Sequence, residues 1–317
     1  MPDPSAGSAL VFPGMSPSRF EDAAKFMLIN PVARTLIKRV DEALGYSLVA
    51  RYRETEGDYS EYAQVAFLVN CLALADWAAE RFDPVPQVIV GPSFGGKAAA
   101  VRCGALGFED AVVMTARWAR KLEEYFAEHH KDVVTHSFTR TPRAELDKIL
   151  AELDEQGEWY EIANHVDADF WMLSVRRTVL DWLNQRLRAS GGMPLYTMHP
   201  PMHCSAFTDL RSEVDSEILA GLTWSDPHTP VIADQDGTVR DTADGVRTML
   251  LDGFTCPVRW PEVVAALRGR GVGKIYLSGL DSLFGRVPIT TSNFEVVSFN
   301  PRTAVMPRRK PAARSVA

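Results

Sequence analysis

Val88-Ile89-Val90-Gly91-Pro92-Ser93-Phe94-Gly95-Gly96-Lys97 is the stretch that decides the fold. Three β-branched residues read as a short buried strand, and Lys97 to Arg102 as helix-compatible sequence following at once. Between them, Gly91 to Gly95 fits G-x-S-x-G, the pattern of a nucleophile elbow. In such a turn the serine hydroxyl stands free at the carboxyl end of a strand. The N-terminus of the next helix then favours negative charge developing there. Five residues match by chance often enough, and a glycine-rich turn uses the same ones. The strand before and the helix after give the match its weight.

Outward from the elbow, Ala9 to Phe12 reads as a buried first strand ending in Pro13-Gly14. Phe20 to Leu44 has helical spacing broken at Pro31, and Ala63 to Trp77 is apolar on nearly all sides, as in a helix at the middle of a domain. From about 130 to 198 the rhythm changes to β-α-β-β-α-β. The strands are Val133 to Phe138, Trp159 to Ala163, Phe170 to Val175 and Pro194 to Thr197, and the helices Arg143 to Leu153 and Thr178 to Leu187. That order is a ferredoxin-like unit. Strands at Pro230 to Ala233 and Lys274 to Leu277 then rejoin the first region.

The 317 residues are 46% hydrophobic and 24% charged, a globular profile, and the formal net charge of −7 gives the chain no claim on nucleic acid. No apolar run reaches the ~18 residues of a membrane span, and Met1-Pro2-Asp3-Pro4 does not open like a signal peptide, so a cytoplasmic location is expected, with no membrane partner. Cys71, Cys103, Cys204 and Cys256 are far apart and form no C-x-x-C pair, which argues against a metal site or a disulfide framework. Residues 301–317, with Arg302, Arg308, Arg309, Lys310 and Arg314 among prolines, read as a basic tail.

A serine nucleophile needs a base. Of seven histidines, His129 and His130 lie among charged residues, His136 falls in a small-region strand and His228 in a polar loop. His165 and His199 are harder to dismiss. His203, in Met198-His199-Pro200-Pro201-Met202-His203, falls where the chain returns to the large region.

Together these motifs resemble the malonyl-CoA:carrier-protein transacylases and the acyltransferase domains of polyketide synthases, over about residues 8 to 290. Phe12-Pro13-Gly14 is similar to the opening F-P-G-Q-G, Glu61-Tyr62-Ala63-Gln64 to T-x-x-x-Q-P-A, Ser93 to the serine of G-H-S-x-G, and Asn164 to the A-x-N segment. His203 matches the end of the specificity motif, Pro230 to Asp234 resembles P-V-x-x-N, and Cys256 to Trp260 resembles S-P-V-R-W. A closer likeness is to the vicenistatin-type enzymes that pass aminoacyl or dipeptidyl groups between carriers.

The resemblance implies an α/β architecture: an α/β-hydrolase-like large subdomain (1–129 and 199–300) with an inserted ferredoxin-like small subdomain (130–198). It implies Ser93 as acyl carrier, His203 as base, backbone N–H groups of Met15 and Phe94 as oxyanion hole, and Gln64, Trp118, Asn164, Pro200 and Met202 around the substrate. Asp234 would orient the histidine, though a turn residue at a strand end reads equally well. No cofactor is implied, since phosphopantetheine arrives on the partner acyl carrier protein. Carriers being acidic, Arg143, Arg176, Arg177 and Arg302 are the docking candidates.

The departures bear on substrate. Ungapped alignment puts Trp118 where malonyl enzymes keep the arginine that pairs the substrate carboxylate. Tryptophan cannot neutralise a carboxylate, whereas its indole supplies apolar area and a face that attracts cations. A register slip would bring Arg117 there instead, but in the ungapped register one helical residue turns it ~100° away. The sequence therefore favours transfer of a non-malonyl acyl group, aminoacyl, dipeptidyl or otherwise uncharged at its end. Thioester hydrolysis and ordinary malonyl loading are the alternatives.

Overall fold

The computed structural model describes residues 7–306 apart from 58 and 83. Its strands are β1 (Gly7–Val11), β2 (Val88–Val90), β3 (Val133–Thr139), β4 (Tyr160–Asp167), β5 (Phe170–Arg176), β6 (Met193–Met198), β7 (Val231–Ile232), β8 (Val239–Arg240), β9 (Val258–Arg259), β10 (Val272–Ser278) and β11 (Glu295–Phe299).

Six of them form a sheet in the order β11-β10-β1-β2-β7-β8, parallel except for the β7–β8 pair. Parallel strands are covered on both faces, which is why β2 is Val-Ile-Val and wholly buried. The Glu61–Phe82 helix lies in the same core, with Val65, Ala66, Leu68, Val69, Ala73 and Leu74 fully enclosed. By length and composition this helix could cross a membrane, but 83% of its apolar window is buried inside the protein. It is a core helix.

The second sheet runs β6-β3-β5-β4-β9. Its first four strands follow the ferredoxin-like order with each neighbouring pair antiparallel, and helices Arg143–Glu155 and Leu180–Ala189 bury Leu146, Ile149, Leu153, Leu183 and Leu187 against it. The α/β class with a hydrolase-like and a ferredoxin-like part, expected from the sequence, is what the fold shows. The fifth strand was not expected. β9 comes from the segment after Cys256 and pairs in parallel with β4, Val258 against Asn164 and Arg259 against His165.

Pro301–Ala304 form a short helix directly after β11, capped by the Asn300 side chain on the Thr303 N–H at 3.0 Å. Arg302 thus lies on a helix, and the other basic residues of the tail lie outside the described residues.

Candidate active site

β2 delivers Ser93 into a turn that has no spare volume. A Cβ on Gly91 would lie 2.2 Å from the Gly95 carbonyl oxygen, and one on Gly95 would lie 2.2 Å from the Phe12 carbonyl oxygen. Only glycine fits either position. Ser93 itself has φ +54°, a left-handed backbone that non-glycine residues rarely adopt. His203 shares the feature at φ +62°. Two strained backbones therefore face each other, and the surrounding packing holds them.

The Ser93 Oγ lies 2.8 Å from His203 Nε2. His203 is 3% exposed, and its Nδ1 faces the Cys256 carbonyl oxygen at 3.3 Å, which fixes the tautomer with the bare Nε2 toward the serine. Burial pushes its pKa down to about 4, against a smaller opposing effect from the Cys256 carbonyl. The ring is therefore a neutral base at neutral pH. The rival histidines are otherwise engaged: His165 stacks on Trp171, His136 Nδ1 meets the Thr197 hydroxyl, and His129 and His130 pack by Tyr125.

Asp234 corrects an expectation. The resemblance implies that it orients the histidine, but its carboxylate Oδ2 accepts the Ser93 backbone N–H at 2.6 Å. The histidine is oriented by the Cys256 carbonyl, a main-chain group that leaves no trace in residue type. Burial raises the Asp234 pKa to about 7, opposed chiefly by that Ser93 N–H. The Cys256-to-Arg259 segment links these groups: Cys256 holds the base, β9 joins the strand bearing Asn164, and the Arg259 N–H donates to the Asp234 carbonyl at 2.7 Å.

At the start of the Gly95–Arg102 helix, the N–H groups of Gly95, Gly96 and Lys97 donate to the Pro92, Ser93 and Phe94 carbonyls, and that of Ser93 to Asp234. Among the described residues the Phe94 N–H has no backbone acceptor, and it lies next to the serine at a helix N-terminus. Met15 lines the cavities on either side of Ser93.

Two cavities meet at Ser93, His203, Met15 and Met198. The first holds Gln64, Trp118, Pro200 and Met202 of the expected pocket, with Phe94, Leu122 and Leu250. Asn164, expected with them, lines the second cavity instead, among Ser137, Phe170, Met172, Ser282 and Phe284. Among the described residues its buried Oδ1 has no hydrogen-bond partner.

Trp118 is 4% exposed and stacks on Phe254 with ring centroids 4.7 Å apart. Arg117 points outward and donates to the Glu217 carbonyl at 2.6 Å, on an exposed surface. A residue that sequence reasoning missed lies beside Trp118. Lys97, 4% exposed, lines the first cavity with its Nζ 4.4 Å from the Trp118 ring centroid and 4.5 Å from that of Phe94. The indole face expected to attract a substrate amine thus already carries a lysine. Burial alone lowers the Lys97 pKa to about 7. The sequence carries no signal for it, since a lysine on the first turn of a helix ordinarily reads as solvated.

The docking candidates do not converge. Arg143 pairs with Asp147 at 2.7 Å and lies 5.8 Å from the ring of Trp171, which neighbours the cavity residues Phe170 and Met172 on β5. Arg176 pairs with Asp132, and Arg176 and Arg177 lie at the far end of β5, roughly 13 Å along the strand from Met172. Arg302 follows β11 at the edge of the large sheet.

The chain has wide likeness among known proteins. Residues 137–198 match the family model of the VinK acyltransferase small domain. The malonyl CoA-acyl carrier protein transacylase of Escherichia coli K12 is 23% identical over 277 residues, covering 86% of this chain and 88% of its own. That of Bacillus subtilis is 25% identical over 289 residues, with the same coverage. Among solved structures, a malonyl-transacylase in complex with its type II polyketide synthase acyl-carrier protein superposes with TM-score 0.82 at 20% identity, covering 95% of this chain and 98% of that one. The Coxiella burnetii malonyl CoA-acyl carrier protein transacylase gives 0.81 at 23% identity, covering 94% and 96%. With its motifs in the family's order, the chain is similar over most of its length to the malonyl CoA-acyl carrier protein transacylases and shares their fold.

Proposed function

We propose that this chain moves an uncharged, non-malonyl acyl group onto or between acyl carrier proteins through a Ser93 acyl-enzyme, in the cytoplasm and in service of polyketide assembly. His203 Nε2 takes the Ser93 proton as Oγ attacks the thioester carbonyl carbon. The resulting oxyanion is held by the N–H groups of Phe94 and Met15, and the imidazolium by the Cys256 carbonyl. Collapse breaks the C–S bond, the departing sulfur takes the proton from His203, and Ser93 is left as an ester. The accepting carrier's thiol then gives its proton to His203, attacks the ester and restores Ser93 Oγ–H. No cofactor enters either half.

Two cavities sharing one Ser–His pair suit this chemistry, one for the acyl chain and one for the phosphopantetheine arm. Asn164, Ser137 and Ser282 supply the polar groups that the amides of such an arm need, so the arm belongs in the second cavity.

The observation that carries the substrate reading is Trp118, buried in the acyl cavity while Arg117 bonds a surface carbonyl. Without an arginine fork, a buried carboxylate lacks its bidentate partner. Ordinary malonyl transfer is the second reading, favoured by the names of the curated relatives and by the Lys97 amine. The test is Trp118→Arg: the ratio of malonyl to neutral-acyl labelling of Ser93 is expected to rise. An unchanged ratio would mean that Trp118 does not set selectivity.

A further inference from the structure

The first cavity has a neighbour that the Ser–His chemistry does not use. A third cavity, of about 520 Å³ against about 90 Å³ for the first, shares Tyr59, Gln64, Leu122 and Pro200 with it. Helix Phe108–Glu128 sets the two end to end. Trp118, Leu122 and Phe126 follow one another at four-residue spacing, near one face of that helix. Trp118 and Leu122 line the first cavity, and Leu122 and Phe126 the third. This apolar stripe carries on from the acyl cavity into a space that Ser93 does not line. Eight residues of helix rise give it a length of about 12 Å.

Tyr59 stands at the junction. Its carbonyl accepts the Gln64 Nε2–H at 2.8 Å, and its hydroxyl bonds that of Tyr196 on β6. The hydroxyl pair is exposed, so water can take its place when the Tyr59 ring turns. Beyond the ring, Ala119, Phe126 and Ala127 offer apolar surface, with Glu56, Glu123 and His199 as polar neighbours. That is a wall for hydrocarbon with a wet outer end. The first cavity alone has room for roughly six to nine water-sized groups, at about 10–15 Å³ each. A longer acyl chain has to leave it. An extended chain advances about 3.5 Å for every three bonds, so roughly ten atoms cover the stripe.

We propose that the third cavity is a distal acyl subsite, entered past Tyr59, and that it lets the protein accept acyl chains of about ten atoms or more. This deepens the reading of a non-malonyl pocket and rests on it. Tyr59 acts here on chain length and takes no part in proton transfer.

The test compares three pantetheine thioesters on the full chain, each kept below its micelle threshold: hexanoyl, dodecanoyl and malonyl. Ser93 labelling is followed by intact mass. Each ratio is taken within one protein preparation, so the fraction of active enzyme cancels. Wild type is expected to label with dodecanoyl at least as fast as with hexanoyl. Ala127 and Glu123 are exposed and line the third cavity but neither of the other two. Ala127→Trp and Glu123→Trp should each lower the dodecanoyl-to-hexanoyl ratio about tenfold, the worth of roughly two buried methylenes. Tyr59→Ala, which clears the junction, should raise it. A ratio unchanged in both tryptophan variants overturns the subsite, and so does a wild type that labels with dodecanoyl tenfold more slowly than with hexanoyl. The non-malonyl reading survives either result. A ratio unchanged in Tyr59→Ala overturns the path past that ring. Malonyl labelling faster than both alkanoyl chains would overturn the non-malonyl reading and the subsite with it.

Discussion

The two cavities that share Ser93 and His203 are built from different chemistry. The first is walled by aromatic and aliphatic side chains around a single lysine and a single glutamine. The second spreads hydroxyls and an amide along Ser137, Asn164 and Ser282, with apolar residues between them. The first arises within the large sheet's helices, whereas the second lies where the small sheet meets the elbow. On the proposed division of labour, selectivity for the acyl group and affinity for the thioester arm would reside in different parts of the chain, so substitutions should separate them.

The largest effects belong to the residues that both cavities share. Ser93→Ala should abolish the covalent acyl adduct, and His203→Ala should slow its formation by about three orders of magnitude or more. Mass spectrometry after incubation with an acyl thioester reads both. An adduct on another residue in Ser93→Ala would break the picture of one nucleophile serving two cavities.

The pH dependence is expected next. The base works only when neutral, and burial lowers His203 from the ordinary histidine value to about 4. The acid limb of the acylation rate should therefore lie near pH 4, not near 6.5, in labelling short enough to precede acid unfolding. Asp234, raised to about 7, should add a shallow inflection there as its bond to the Ser93 N–H weakens on protonation. Asp234→Asn should remove the inflection and leave the lower limb. A main limb at pH 6.5 would show that His203 is not desolvated in the working enzyme.

Asn164→Ala sharpens the comparison directly. It should raise KM for the carrier-borne thioester about tenfold while leaving the ranking of acyl groups unchanged. A changed ranking would put Asn164 in the acyl pocket after all. The smallest effect is expected for Arg143→Glu: transfer to a carrier weakened several-fold at low ionic strength and little at high salt. Equal transfer at both would exclude Arg143 from the carrier surface.

Much of this was legible because it is local. The β-branched run, the G-x-S-x-G turn and the helix after it are consecutive, and the small sheet's strands and helices alternate along one continuous stretch. Helices Phe20–Ile29 and Pro31–Leu44 part at Pro31, as the sequence indicates. What could not be read was tertiary. β8 and β9 have two residues each, too few for any periodicity, and β9 is a strand only because β4 lies beside it. The Cys256 carbonyl is common to every residue type, so nothing in the sequence marks it as the partner of His203. Lys97 escaped for another reason: a lysine on a helix ordinarily reads as solvated, and only packing by Phe94 and Trp118 shows that it is enclosed.

The central claim is that the acyl cavity, with Trp118 and a single amine in place of an arginine, selects against malonyl. The direct measurement is competition: wild-type protein mixed with equal malonyl-CoA and a neutral acyl-carrier thioester, with the mass of the Ser93 adduct read at early times. The neutral acyl adduct should dominate. A malonyl adduct forming faster would contradict the account and make this chain an ordinary malonyl transferase.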